Sequence, residues 1–213
     1  MCKLKKTEGL RLLSFLLAFV MIAAGTAGFD RAEAEEPEPG NIPELIDGVY
    51  QIETAQQLMW FRDLTNGKAK DAEENALNKN TSANAKLIKD IDLGPHLGGD
   101  NQWESIAANP TFTPEGKYKG TFDGNGKKIT GFKMTKSALF YVNAGVIKHL
   151  YVEGIVDAQT MGGMEGSKFL TRVNQGIIIA CSLKVRIKSS TPYSGALYGC
   201  NYQIGRASCR ERV

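Results

Sequence analysis

Histidine is scarce in this chain: His96 and His149 are the two in 213 residues. They stand alone, and neither belongs to an HExxH pair, which sets two zinc ligands one helical turn apart with a glutamate base between them. Zinc peptidase chemistry is thereby excluded from these residues. No Ser-His-Asp order, Walker loop or dinucleotide fingerprint occurs either, and neither a metal nor a cofactor is expected.

A hydrophobic run long enough to span a bilayer is also missing. The uncharged apolar stretch from Leu12 to Gly28 falls short of the roughly 20 residues that a spanning helix needs. Lys3, Lys5, Lys6 and Arg11 precede it and small residues follow. That order reads as a secretory signal peptide over residues 1–34, with Ala32-Glu33-Ala34 offering a cut after Ala34 and Ala27 a second candidate. The expected location is secreted or cell-surface, with membrane contact through the signal peptide only. Cys2 precedes the apolar run and is no lipid attachment site.

Nor is there a field of one charge sign. The chain carries a formal +3, but Lys3, Lys5, Lys6, Arg11 and Arg31 face Glu8, Asp30 and Glu33 within residues 1–34, leaving +2 there. Arg206, Arg210 and Arg212 against Glu211 leave another +2 at the end, so residues 35–203 sit near −1. Phosphate binding needs a basic surface, and nucleic acid is excluded as a partner. The terminal QIGRASCRERV, residues 203–213, resembles an in-frame translation of a widely used sequencing adapter. It is read as an adapter-derived tail on a truncated native chain, which removes Cys209 from cysteine arithmetic. Cys181 and Cys200 remain; an exported pair can form a disulfide, while their apolar settings suit two buried thiols.

What is present is organised. Residues 35–46, EEPEPGNIPELI, are acidic, Pro-rich and without periodicity, a disordered linker. Gly48 to Ile52 alternates as a short strand. Thr54 and Gln57 form a capping box, after which Ala55, Leu58, Phe61 and Leu64 mark one face of a helix that Asn66-Gly67 stops. A polar loop, with room for one helical turn, completes a segment at 48–85. From Lys86 the pattern turns to short strands: KLIKDIDL, Trp103 to Ile106, and Tyr118 to Phe122.

The chain then repeats itself. Leu139, Asn143, Gly145 and Ile147 are matched 31 residues later by Leu170, Asn174, Gly176 and Ile178, and Leu197 with Asn201 continues at a shift of 27. Leu150 and Cys181 follow Ile147 and Ile178 at equal distance. Self-similarity at a period of roughly 20–50 residues signals a solenoid. The expectation is an all-β, right-handed parallel β-helix over residues 86–202, incomplete at its end, with the short helix as N-terminal cap. Leu139, Ile147, Leu150, Leu170, Ile178, Cys181 and Leu197 should point inward, because stacked strands must repeat an apolar residue once per coil. Asn143 and Asn174 should sit at corners, exchanging amide hydrogen bonds along the axis, with Gly145 and Gly176 accepting φ > 0 beside them.

Several segments together resemble a known pattern. GVYQIETAQQLMWF, LIKDIDL, Trp103 with Ile106, GKYKGTFDGNGKKITGFKM and ALFYVNAGVIKHLYVEG are similar to the β-helix regions of bacterial surface proteins that carry GLUG-type repeats, regions also found ahead of the catalytic domain in IgA-cleaving zinc metallopeptidases. The resemblance covers about residues 48–202. It implies a non-catalytic adhesion or display module whose partner is a host or cell-wall glycan or protein. Two alternatives stand beside it: the non-catalytic front of a larger surface metallopeptidase, and a β-helix enzyme that cuts polysaccharide.

For the last of these, Asp90 and Asp92 are the candidate residues. Residues two apart on a strand share a face, and a glycosidase needs two carboxylates flanking a sugar; alternation on any half-solvated strand produces the same spelling. Asp123-Gly124-Asn125-Gly126 invites a calcium reading, but calcium needs six to eight oxygens, and a tight turn through Gly124, Asn125 and Gly126 explains the glycines. Tyr141, Tyr151, Tyr193, Tyr198 and Tyr202 do not space onto one face as a sugar-binding strip.

Overall fold

The computed structural model describes residues 40–98, 103–108, 116–134, 138–157, 169–188, 198–201 and 208–212. The signal-peptide segment, residues 35–39 of the linker, Leu197, Tyr193 and Tyr202 lie outside them. Among the described residues the protein is mostly β-strand with one α-helix. The order is β1 (Glu44–Ile46), β2 (Val49–Ile52), α1 (Ala55–Asn66), β3 (Asn84–Leu87), β4 (Ile91–Asp92), a 3₁₀ turn (Gly94–His96), β5 (Thr121–Asp123), β6 (Lys128–Met134), β7 (Phe140–Asn143), β8 (Val146–Lys148), β9 (Tyr151–Asp157), β10 (Thr171–Asn174), β11 (Ile177–Lys188), β12 (Tyr198–Asn201) and β13 (Ser208–Arg212). No helix among these residues is long and apolar enough to cross a membrane.

Parallel pairing dominates. One ladder runs β2-β3-β5-β8-β11 and aligns Tyr50, Ala85, Phe122, Ile147 and Ile178. A second runs β4-β6-β9-β11 and aligns Ile91, Ile129, Val152 and Leu183. The long β11 enters both ladders and joins them into one sheet. A third, β7-β10-β12, aligns Val142, Val173 and Cys200, and next to them Asn143, Asn174 and Asn201. Ile106 and Tyr118 add single bridges to β7. β13, inside the segment read as an adapter-derived tail, pairs its backbone with β11.

The aligned apolar positions meet in one core. Phe122, Ile147, Ile129 and Val152 are fully buried, and so are Leu139, Leu150 and Leu170, with Ile178 and Cys181 nearly so. Cys181 lies buried with its Sγ against the Ile147 and Ile179 carbonyls. Helix α1 adds Leu58, Phe61 and Leu64 to the same core. Phe61 meets Tyr50, Tyr118 and Phe122 at ring-centroid distances of 6.0, 6.3 and 6.0 Å, and Phe140 closes the cluster at 5.3 Å from both Tyr118 and Phe122. Tyr118 keeps its phenol satisfied by donating to the Ala83 carbonyl, and burial pushes its pKa up.

The ends of α1 follow from its flanking residues. Thr54 accepts from the Gln57 N–H, and Gly67, at φ 76°, caps the other end in the left-handed region. The Gln57 side chain reaches back to the Glu53 N–H, one residue before the expected Thr54 N–H. Buried Gln57 also donates to the Gly40 carbonyl, tying down the segment before β1.

Four expectations are corrected. The linker reading over 35–46 extends too far, because Glu44–Ile46 pairs antiparallel with β2 across an Asp47-Gly48 turn. Leu45 and Ile46 remain exposed, so no buried face imprints alternation on this strand. KLIKDIDL is two strands, not one, and β3 begins earlier, at Asn84; Ile88–Asp90 intervene. Trp103 to Ile106 contributes one bridge rather than a strand. Finally, Gly145 and Gly176 do not adopt positive φ. A Cβ on Gly145 would lie 2.1 Å from the Gly120 carbonyl oxygen, one on Gly176 the same distance from the Gly145 oxygen, and one on Gly120 the same from the Ala83 oxygen. These glycines are needed because successive strands pack backbone on backbone there.

Candidate functional site

The residues singled out from the sequence fall at three places. Asn143 and Asn174 are register partners, both buried. The Asn143 amide donates to Asn174 Oδ1 at 2.8 Å, and Asn143 Oδ1 accepts from the Gly145 N–H at 3.1 Å. A buried amide needs partners on both its ends, and these bonds supply them from within the fold. The pair is structural, with neither side chain presented to a ligand.

Asp90 and Asp92 are both exposed. Asp90 lies ahead of β4 rather than on it, so the strand rule that would place both carboxylates on one face does not apply. Asp90 Oδ1 accepts from the Lys128 N–H at 3.0 Å, and Asp92 Oδ1 accepts from the Gly94 N–H at 3.0 Å. Gly131 stands at the Asp92 carboxylate, where a Cβ would collide with Oδ1. Each acid thus fastens a neighbouring backbone segment.

The third place is the corner between β5 and β6. Lys127 donates its N–H to the Gly124 carbonyl at 2.8 Å around Asn125 and Gly126, at φ 52° and 71°. Two successive positive φ values define a mirror-image β-turn, which Asn-Gly suits. Gly124 is packed, not strained: a Cβ there would meet Leu150 Cα at 2.4 Å. Asp123 opens the turn by accepting from the Asn125 N–H at 2.8 Å.

This corner assembles a group that spacing did not disclose. Asp123 Oδ1 is 3.3 Å from His149 Nδ1 and Oδ2 is 3.1 Å from Lys148 Nζ. His149 is therefore not alone; strand pairing of β5 with β8 carries it to Asp123 across 26 residues. The sign that spacing lacked is the register itself, Asp123 opposite Lys148. A cation site at Asp123 is disfavoured by the Lys148 ammonium already facing it. His96 sits elsewhere, its Nδ1 3.3 Å from Gln56 Nε2. Among the described residues no three His, Cys, Asp or Glu side chains gather to hold a metal.

Burial of Asp123 acts to raise its carboxyl pKa. The Asn125 N–H, Lys148 and His149 outweigh that, and the net direction is down from the usual value of 3.8. A depressed folded pKa gives stability that is complete above the unfolded value and is lost as pH falls through the folded one. The melting-temperature advantage of the wild type over Asp123→Asn should accordingly be constant above about pH 5 and close as pH drops below about 4. A gap unchanged down to acid unfolding would show that the cluster contributes nothing to stability.

Of the tyrosines, Tyr141 is buried and accepts from Arg172 Nη1 at 2.7 Å, with the guanidinium 4.9 Å from its ring centroid. Tyr151 is half-buried on β9, a strand of a different ladder. These two do not form a common strip. Comparison of the chain with protein-family models, with curated proteins and with solved structures finds no match.

Proposed function

We propose that this chain belongs to a secreted or cell-surface β-helix protein and acts as a non-catalytic module for adhesion or display. The observation that carries the reading is the set of three parallel ladders with recurring register. From β5 onward the chain visits the first, second and third ladders in turn, as β5-β6-β7, then β8-β9-β10, then β11 on the first two and β12 on the third, and Asn143 bonds to its repeat-mate Asn174 through the side chains. In this reading the ladders are the faces of a right-handed parallel β-helix and α1 is its cap, in keeping with the resemblance of its segments to GLUG-type repeats. An uncapped solenoid end exposes strand edges and apolar surface, which Leu58, Phe61 and Leu64 cover at one end. The leader sequence supports export, and the partner is a glycan or protein bound along an outer face.

The non-catalytic part rests on the same geometry. Catalysis needs an acid, base, nucleophile or metal convergent in a pocket, whereas Asp90 and Asp92 each hold a backbone N–H and Asp123 is occupied by its neighbours. The full chain, assayed against a panel of polysaccharides and proteins beside the Asp90→Asn/Asp92→Asn double variant, should show no turnover in either form. Turnover that the double variant loses would replace display by polysaccharide cleavage.

A further inference from the structure

The chain contains two copies of one chemically labile tripeptide, Asn66-Gly67-Lys68 and Asn125-Gly126-Lys127. Asn-Gly is prone to cyclise because glycine puts no side chain in the way of its own nitrogen. Hydroxide removes the proton of the Gly N–H, and the nitrogen's electron pair forms a bond to the Asn Cγ. The Cγ–Nδ2 bond breaks, and the amide leaves as ammonia after taking a proton from water. Water then opens the cyclic imide to aspartate or isoaspartate, so the net change is amide plus water to carboxylic acid plus ammonia. The reaction needs a free Gly N–H and a backbone able to swing the Asn side chain onto it.

Both copies deny these requirements. At the second copy, the Gly126 N–H donates to the His149 carbonyl at 2.8 Å, and Asn125 Nδ2 donates to the Leu87 carbonyl at 3.1 Å. Asn125 is itself fixed at φ 52°. At the first copy, the Gly67 N–H donates to the Leu64 carbonyl at 3.3 Å. There Asn66 is held at both ends, its Nδ2 donating to the Ser105 carbonyl at 3.1 Å and its Oδ1 accepting from the Ala108 N–H at 2.8 Å. Asn66 is half-buried, whereas Asn125 is exposed and held by its nitrogen.

We propose that Asn125 is a latent self-modification site, kept closed by its contacts with the neighbouring strands and released when the β5–β6 corner opens. Its partners come from both sides, Leu87 at the end of β3 and His149 just after β8. Opening of that corner alone is enough to free the Gly126 N–H. Loss of ammonia makes the conversion irreversible, and the converted corner no longer closes as before, because a carboxylate in place of Nδ2 faces the Leu87 carbonyl with acceptor against acceptor and isoaspartate lengthens the turn backbone. Asn66, in the same local sequence but doubly held, is the slower site in the folded protein.

The test uses the full chain at mildly alkaline pH, in buffer and in concentrated urea, with peptide mapping by mass spectrometry over time. Conversion of amide to acid is followed at Asn66 and Asn125, and each site's native rate is divided by its own rate in urea. Suppression of about 100-fold or more is expected at both sites, since the rate follows the population of the open form, and it should be stronger at Asn66. A native rate at Asn125 within about threefold of the urea rate would overturn the gating, because the corner would then be open most of the time. Faster native loss at Asn66 than at Asn125 would overturn the assignment of the corner as the weaker point.

Discussion

Replacing Phe61 by alanine is expected to destabilise the protein by about 3–5 kcal/mol, the range for removing a fully buried aromatic ring. Phe61 has no exposed surface, and its ring lies against Tyr50, Tyr118 and Phe122. Those three come from β2, from the bridge to β7 and from β5. One side chain of α1 therefore joins the helix to two different ladders. The void left by alanine would be lined by rigid rings that have little freedom to collapse into it, which places the cost toward the upper part of the range. Phe61→Leu should retain most of the stability, since it fills much of the same volume. Urea unfolding followed by tryptophan fluorescence measures both variants, with Trp60 adjacent on α1 and 5.5 Å from the Tyr50 ring. A loss under about 1 kcal/mol for Phe61→Ala would mean that the helix does not seal this core.

Gly145→Ala is expected to be as severe, for a different reason. Its Cβ would lie 2.1 Å from the Gly120 carbonyl oxygen and 2.6 Å from the Lys119 carbonyl carbon. Both are backbone atoms held in pairing with neighbouring strands, so no flexible side chain can step aside. The strands must separate, breaking bonds such as Val146 N–H to the Gly120 carbonyl at 2.9 Å. A cost of at least about 3 kcal/mol follows, with loss of folded protein on expression. Gly48→Ala isolates the effect of backbone conformation: Gly48 has φ 76°, but a Cβ added to it would meet no atom within 4 Å, so the change should cost only about 1–2 kcal/mol. If the two variants lost equal stability by denaturant titration, close backbone packing would not be the reason for glycine at 145.

The difference between these glycines marks how far the sequence could be read. The recurrence of Leu139 with Leu170 and of Ile147 with Ile178 is legible because these repeat-mates pack into one buried core and must be apolar in each repeat. The Asn143–Asn174 pair is legible because a polar residue repeated within such a pattern needs itself as partner. The role of Gly145 is not, since glycine is spelled alike whether it permits a positive φ or a close approach, and only the neighbouring backbone decides. Likewise nothing about an alanine announces the left-handed backbone that Ala180 adopts at φ 50°, matching His149 at φ 51°. The Asp123, Lys148 and His149 group was hidden for a related reason. Its members meet through register across neighbouring strands, and no periodicity within one segment encodes that distance. Glu44–Ile46 was missed because hydrogen bonding at a sheet edge asks for no apolar side.

The aligned residues Tyr50, Ala85, Phe122, Ile147 and Ile178 are separated by 35, 37, 25 and 31 positions. The excursions between strands therefore differ in length while the pairing keeps its register. Loop closure over such distances varies little in entropy, with a doubling of length adding only about 0.6 kcal/mol. For a chain that emerges from its N-terminus, every new strand on this ladder finds its docking edge already made and only a few dozen residues behind it. No strand of the ladder has to wait for a distant end of the protein. Acquisition of structure can then proceed as growth on an existing template, with the pairing of β2 and β3 beside α1 as its seed and β11 as a late addition.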